Sequence, residues 1–417
     1  MHTDSRSTNS NPSSRSKKIG ALTFIFAVVL LDIIGLTLLI PVSAYIVRQY
    51  TADALSVTML TVIYAAAQFL ATPIIGRLSD RFGRRPVLLI CVFGSAVGYF
   101  MFGVGGALWI LFLSRLIDGI TGGNLSTATA YVADVTPPEK RANSFALVGA
   151  AFGIGFVVGP AIGGALSQIS LSAPAYAAGI LSLLNLILGY FTLTESLPPE
   201  KRDMRPLQLA DANPLGPLGE YLRRPALGML LMVSMLFNLS FNGRNAILPV
   251  FLIDKFTIVP GQLALLLVIS GIGNIVVQGF LIGRLVPKFG EKALVVFSLI
   301  TQAVLSVVVY MLPQYWMLYP VIVLATAASG FFWPTLGAML SNGVSEREQG
   351  KISGVNASLG SLMSILGPLM AGVLYDHVGI NSPFWTGAVL LVIAGTLLIR
   401  VRPVATVSEA AVQGQQA

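Results

Sequence analysis

With 417 residues, 55% of them hydrophobic, and a mean hydropathy of +0.79, the chain carries more apolar surface than one soluble core can hide. Its long apolar runs therefore read as membrane spans rather than core helices. The formal charge of +8 does not point to nucleic acid, because the basic residues lie in short links between those runs, where membrane topology explains them.

Residues 1–18 are rich in Ser, Asn, Arg and Lys and read as a disordered cytoplasmic tail. No short apolar region with a small-residue cleavage site follows, so the first apolar stretch reads as a retained span. Segments of about 20 apolar residues can cross the hydrocarbon core as helix, and twelve are predicted. Six lie near 19–46, 57–76, 87–106, 109–133, 143–166 and 174–194, and six near 226–252, 261–283, 293–311, 315–340, 352–374 and 384–400. The expected fold class is an all-α polytopic membrane protein. Its expected units are an N-terminal six-helix bundle over 19–194, a Pro- and charge-rich cytoplasmic linker over 195–225, a C-terminal bundle over 226–400 and a cytoplasmic tail over 401–417. Cys91, the single cysteine, lies within an apolar run and excludes an intrachain disulfide and any multi-cysteine metal site.

Charge sets the orientation. Of the 26 Lys and Arg, 22 fall in the tails and even-numbered loops, whereas the odd-numbered loops carry only Arg48 and Lys255. That bias places both termini in the cytoplasm, for a chain expected in the cell inner membrane. The densest cluster is GRLSDRFGRRP, from Gly76 to Pro86, with four arginines and one aspartate in eleven residues. A plainer echo, GRLVPKFG, runs from Gly283 to Gly290. Gly83 and Gly290 are 207 positions apart, while Gly159-Pro160 and Gly367-Pro368, and Gly164 and Gly372, are 208 apart. Landmarks at nearly one offset argue for parallel six-helix repeats about an axis along the membrane normal.

Charges inside spans are costly and by default mark function. Asp32 falls in the first span, Arg115 and Asp118 share a face of the fourth, and Arg244 lies in the seventh. Proton coupling needs a carboxylate that is neutral in one state and charged in another. Asp32 is the first candidate and Asp118 the second, with Arg115 modulating titration. Neutralised structural pairs are the alternative reading. Tyr64, Gln68, Asn124, Asn238, Asn242, Asn274, Gln278, Phe331, Phe332 and Trp333 are candidate cavity residues, and Arg244 a candidate partner for an anionic group. No nucleotide-binding P-loop and no HExxH occurs, so no cofactor, metal or enzymatic activity is expected.

These stretches resemble a known family. GRLSDRFGRRPVL is similar to the loop 2/3 signature of the major facilitator superfamily, LSRLIDGITGG to its fourth-helix motif, and GIGFVVGPAIGG to its fifth-helix antiporter motif. With LDIIGLTLLIPV in the first span, the chain resembles the twelve-helix drug:proton antiporters, particularly the tetracycline-efflux-like branch. The resemblance implies the major facilitator fold, with two six-helix bundles around a central cavity. It also implies proton-coupled export of small lipophilic or amphiphilic compounds, functional as a monomer among membrane lipids. Uptake or exchange of a metabolite, and a non-transporting sensor, are the alternatives. It further implies a conformational latch of Gly76, Asp80, Arg81, Gly83, Arg84, Arg85 and Asp134, in which Asp80 meets the start of helix eleven near Ser353. The antiporter-motif residues Gly155, Gly159, Pro160, Gly163 and Gly164 would seal the outer side between halves. Gly98 stands where tetracycline exporters of this kind carry an acid.

Overall fold

The computed structural model describes residues 26–204 and 218–401; both tails and the middle of the linker lie outside the described residues. In a bilayer every backbone polar group must be satisfied within the segment, so the apolar runs close into helices. In chain order these are α1 (Phe26–Val47), α2 (Ala54–Phe82), α3 (Arg84–Val104), α4 (Leu108–Thr121, resumed as Asn124–Val135), α5 (Arg141–Leu166) and α6 (Ala173–Thr192). The second half supplies α7 (Pro225–Phe256), α8 (Pro260–Phe289), α9 (Glu291–Met311), α10 (Leu318–Asn342), α11 (Gln349–His377) and α12 (Ser382–Arg400).

Three details depart from the expected spans. The loop 2/3 signature is mostly helix, because nothing in RLSDRF breaks α2 before Gly83. There φ is +106° and ψ 156°, a region open to glycine alone, and α3 restarts at the next residue. Gly290, with φ +78° and ψ 158°, performs the same turn between α8 and α9. The fourth span is broken at Gly122 and Gly123, and α8 contains a π-helical turn at Val277–Leu281.

Each half packs as six helices, with α2 against α4, α3 against α4 and α6, α7 against α11 and α12, and α9 against α10 and α12. The halves meet along two seams, α2 with α11 and α5 with α8. At the end bearing the odd-numbered loops a single hydrophobic core runs through both halves, from Val42, Val47 and Ala54 to Phe251, Leu263, Leu318 and Phe384. At the even-loop end the cores separate: Val29, Leu88, Tyr131 and Leu193 form one, while Leu230, Phe237, Leu336 and Leu398 form another. The end of α2 that carries the loop 2/3 signature shows the same parting, since a Cβ at Gly76 would meet nothing within 4 Å. The molecule is thus closed at the odd-loop end and open at the even-loop end.

The repeat landmarks occupy equivalent places. A side chain at Gly159 of α5 would strike Thr37 of α1, and one at Gly367 of α11 would strike Leu239 and Gly243 of α7. Gly164 faces Ala264 of α8 in the other half, as Gly372 faces Leu55 and Thr58 of α2. Glycine at these four positions lets backbones approach where any Cβ would hold them apart.

Candidate functional site

The first half gathers the buried charge. Asp32, half-buried on α1, accepts a hydrogen bond of 2.8 Å from Asn124 Nδ2. Asn124 opens the second segment of α4, so the break at Gly122–Gly123 is what presents its amide to α1. Gly122 also accepts from Gln68 Nε2 at 2.9 Å, and the same nitrogen lies 3.2 Å from the Tyr64 hydroxyl. A Cβ on Gly122 would come within 2.9 Å of that hydroxyl, which ties α2 to the broken turn.

Arg115 and Asp118 are more deeply placed. Arg115 Nη1 lies 3.2 Å from Asp118 Oδ2, and the guanidinium sits 4.7 Å from the Phe102 ring centroid and 5.6 Å from that of Tyr99. Among the described residues its Nε and Nη2 have no hydrogen-bond partner, and the aromatic faces of α3 lie against it. Asp118 is only 2% exposed and already matched to a cation, whereas among the described residues no cation pairs with Asp32. Gly98 packs on α4 at Asp118: a Cβ there would lie 3.0 Å from the Ser114 carbonyl and 3.2 Å from Asp118 Cβ, so a side chain would need α4 to give by a few tenths of an ångström.

The second half supplies a cavity of about 490 Å³ between α7, α10 and α11, lined by Asn238, Phe241, Asn242, Trp333, Ser353 and Asn356 among others. Asn238 and Asn242 each donate their Nδ2 to the carbonyl four residues earlier, at 2.8 and 2.9 Å, which leaves their amide oxygens as acceptors. Trp333 stands edge-on to Phe241 at 85° and to Phe237 at 87°, and Phe237 stacks on Phe332. Several expected cavity residues lie elsewhere. Phe331 is buried against Val277 and Leu294, because it follows Gly330 on the face of α10 turned to α8 and α9. Gln278 bonds Asn274 along the exposed side of α8 and does not line the cavity. Arg244 turns into the bundle and donates to Gln302 of α9, which in turn donates to Ala325 of α10 at 2.7 Å. Among the described residues it meets no acid. The small-residue face of α11 at Ser353, Ala357, Gly360 and Ser364, which lines the cavity, was missed. Its signal in the sequence is a polar and small stripe at helical spacing.

At the even-loop end Arg84 Nε meets Asp134 at 3.2 Å, its Nη1 meets Asp80 at 2.5 Å, and Nη1 donates to Ser79 Oγ at 2.7 Å. Arg85 donates to the Tyr190 carbonyl at 2.6 Å, and Arg81 lies 5.6 Å from the Phe82 ring. Asp80 therefore pairs within its own half and not with the start of α11, as expected when the even-loop ends stand apart. The N-cap position of α11 is held by Glu348, bound to Arg224 at 2.7 Å. Glu195, which the motifs did not single out, accepts from the Arg84 and Arg85 backbones at 2.9 and 3.3 Å and so caps α3. In the antiporter motif, Gly155, Gly159 and Gly163 pack on α1 of the same half. Gly164 faces across to Ala264 of α8 and Gly153 to Ile275, so the motif meets the other half at its two ends.

Two bundles that share a core at one end and part at the other are the architecture of a polytopic membrane transporter. The chain belongs to the Major Facilitator Superfamily, whose family model matches residues 25–276 and again 230–416. The class C tetracycline resistance protein of Escherichia coli is 36% identical over 92% of this chain and 96% of that protein. Multidrug resistance protein 2 of Bacillus subtilis is 28% identical over 92% of this chain and 96% of its own length. Among solved structures, the human organic anion transporter MFSD10 superposes with a TM-score of 0.69 at 26% identity, covering 91% of this chain and 99% of that one.

Proposed function

We propose that this protein is a proton-coupled exporter of small lipophilic or amphiphilic drugs, working by alternating access in the inner membrane with both termini in the cytoplasm. The units are a bundle over 19–194, a linker over 195–225 and a bundle over 226–400. Positive-inside bias makes the even-loop end cytoplasmic, so the conformation described is inward-open. Asp32 exchanges the proton. The observation that carries the reading is its neutral partner, Asn124, at 2.8 Å, with no cation paired to it among the described residues. A carboxylate bound by an amide can gain or lose a proton without breaking an ion pair, whereas Asp118 must first leave Arg115. Compound would load from the cytoplasmic side onto the aromatic and amide-oxygen face of Asn238, Phe241, Asn242 and Trp333, which suits amphiphiles that carry hydrogen-bond donors. A monomer, surrounded by lipid and without nucleic acid, suffices for this cycle.

The tetracycline and multidrug resistance relatives support the drug class, and the absence of an acid at Gly98 makes breadth of substrate the first question. The test is a susceptibility panel, with tetracycline included, in a transporter-depleted bacterial host, followed by pH-gradient-driven flux in proteoliposomes. Substitution D32N is expected to abolish resistance and flux; retention of both by D32N and by D118N would overturn the assignment.

A further inference from the structure

The N-terminus of α2 is capped from the other half of the molecule. Asp376, near the end of α11, accepts the Ala54 N–H at 3.0 Å on Oδ1 and the Leu55 N–H at 2.8 Å on Oδ2. These are the first two residues of α2. Its local N-cap residue, Asp53, makes no side-chain cap bond and instead accepts from the Thr51 hydroxyl at 2.8 Å. The exposed N–H groups and the positive end of the helix dipole are thus left for a carboxylate 322 positions later. Around this cap three further bonds cross between halves or brace one that does. Arg48 meets Asp254 at 2.6 Å, Tyr375 donates to the same Asp254 oxygen at 2.7 Å, and Tyr45 donates to the Ile258 carbonyl at 2.6 Å. The repeat-related N-terminus of α8 needs no such partner, because Gln262 Oε1 accepts its own Val259 N–H at 3.0 Å.

We propose that Asp376 is a state-determining residue. Its carboxylate clamps α11 to the N-terminus of α2 and, with the Arg48–Asp254–Tyr375 cluster, keeps the odd-loop ends shut while the other end is open. Opening that end pulls α2 from α11, so both N–H bonds and the dipole contact must be given up. The cap is a bond of this state alone, and its strength sets the ratio of the two states. The role in transport rests on the alternating-access reading, but the contact and its consequence for conformation do not.

Distances between spin labels test it without any substrate. On a C91S background, labels at Q49C and N381C report separation of the halves at the odd-loop end, and labels at K140C and E346C report the even-loop end. D376A is expected to raise the odd-end-open fraction by about tenfold, the scale of one lost helix cap, with the even-end labels drawing together. D376N, which keeps an acceptor oxygen and loses the charge, is expected to fall between. A54P removes one of the two donors at a helix position that tolerates proline, and is expected to move the populations in the same direction even if D376A folds poorly. The distances are read without substrate or a proton gradient, so loss of flux in D32N bears on the proton assignment and not on this clamp. Distance distributions in folded D376A and A54P identical to those of the parent would overturn the proposal.

Discussion

The two seams between the halves descend from one repeat and close by different means. At α5/α8, Gly164 lies against Ala264 and Gly261, and Gly271 against Val157 and Phe156, with no charged group among these contacts. At α2/α11, the repeat-related Gly372 lies against Leu55 and Thr58, and beside it Asp376 supplies a charged cap. Shape complementarity is lost gradually as surfaces slide, whereas a carboxylate bound to two N–H groups is either engaged or released. On the alternating-access reading, the first seam would guide the movement and the second would give it two discrete states. The same division runs between the bundles: the first holds the acids Asp32 and Asp118, and the second holds an uncharged aromatic and amide pocket.

The division between bundles predicts the largest effects. D32N is expected to lower pH-gradient-driven flux at least 100-fold while compound binding survives, and W333A or N238A to weaken binding while proton release on loading survives. Flux and equilibrium binding in proteoliposomes separate these outcomes. Next come the seams themselves. G164V and G372V each force a side chain into facing atoms and are expected to open the odd-loop end and cut flux about tenfold or more. Adding D376A is expected to push the label distances further in G164V but little in G372V, whose cap is already parted, a non-additivity that a double-mutant cycle measures.

Smaller effects sharpen the comparison of the two glycine turns. G83A has to adopt φ +106° and also displace the Glu195 carboxylate, whereas G290A meets open space and bears only the backbone strain. Thermal unfolding in detergent is expected to show a loss of about 1–3 kcal/mol for G290A and more for G83A. Smallest is the titration of Glu348, whose carboxyl is pushed from 4.5 down to about 2, chiefly by the hydrogen bond from Arg224 and then by that from Ser345. With a folded value below the unfolded one, the pair's contribution is fully present above pH 4.5 and is lost as pH falls toward 2. E348Q is expected to flatten the melting temperature between pH 5 and pH 3 relative to the parent, without changing it in slope above that range.

The number of spans, their two-fold repeat and the embedded charges were legible in the chain because each depends on local composition. A run of about 20 apolar residues has to be helix in lipid, and a charge within it has to find a reason. Glycine pairs 208 positions apart likewise announced equivalent close approaches, and the structure puts Gly159 with Gly367 and Gly164 with Gly372 in matching places. What the sequence left undecided is direction. Arg244 and Phe331 lie on helices that border the cavity, yet one turns to Gln302 and the other to Val277 and Leu294, since rotation of a helix about its axis is set by neighbours and not by its own residues. The same holds for pairing across long separations. Nothing near Asp53 announces that it yields its cap, or that Asp376 takes it, because a helix end is satisfied by whichever acceptor the packed bundles bring within 3 Å. Composition determined that this chain spans a membrane as two related bundles; only their packing decided which acid is held by a neutral amide and which one bonds across the halves.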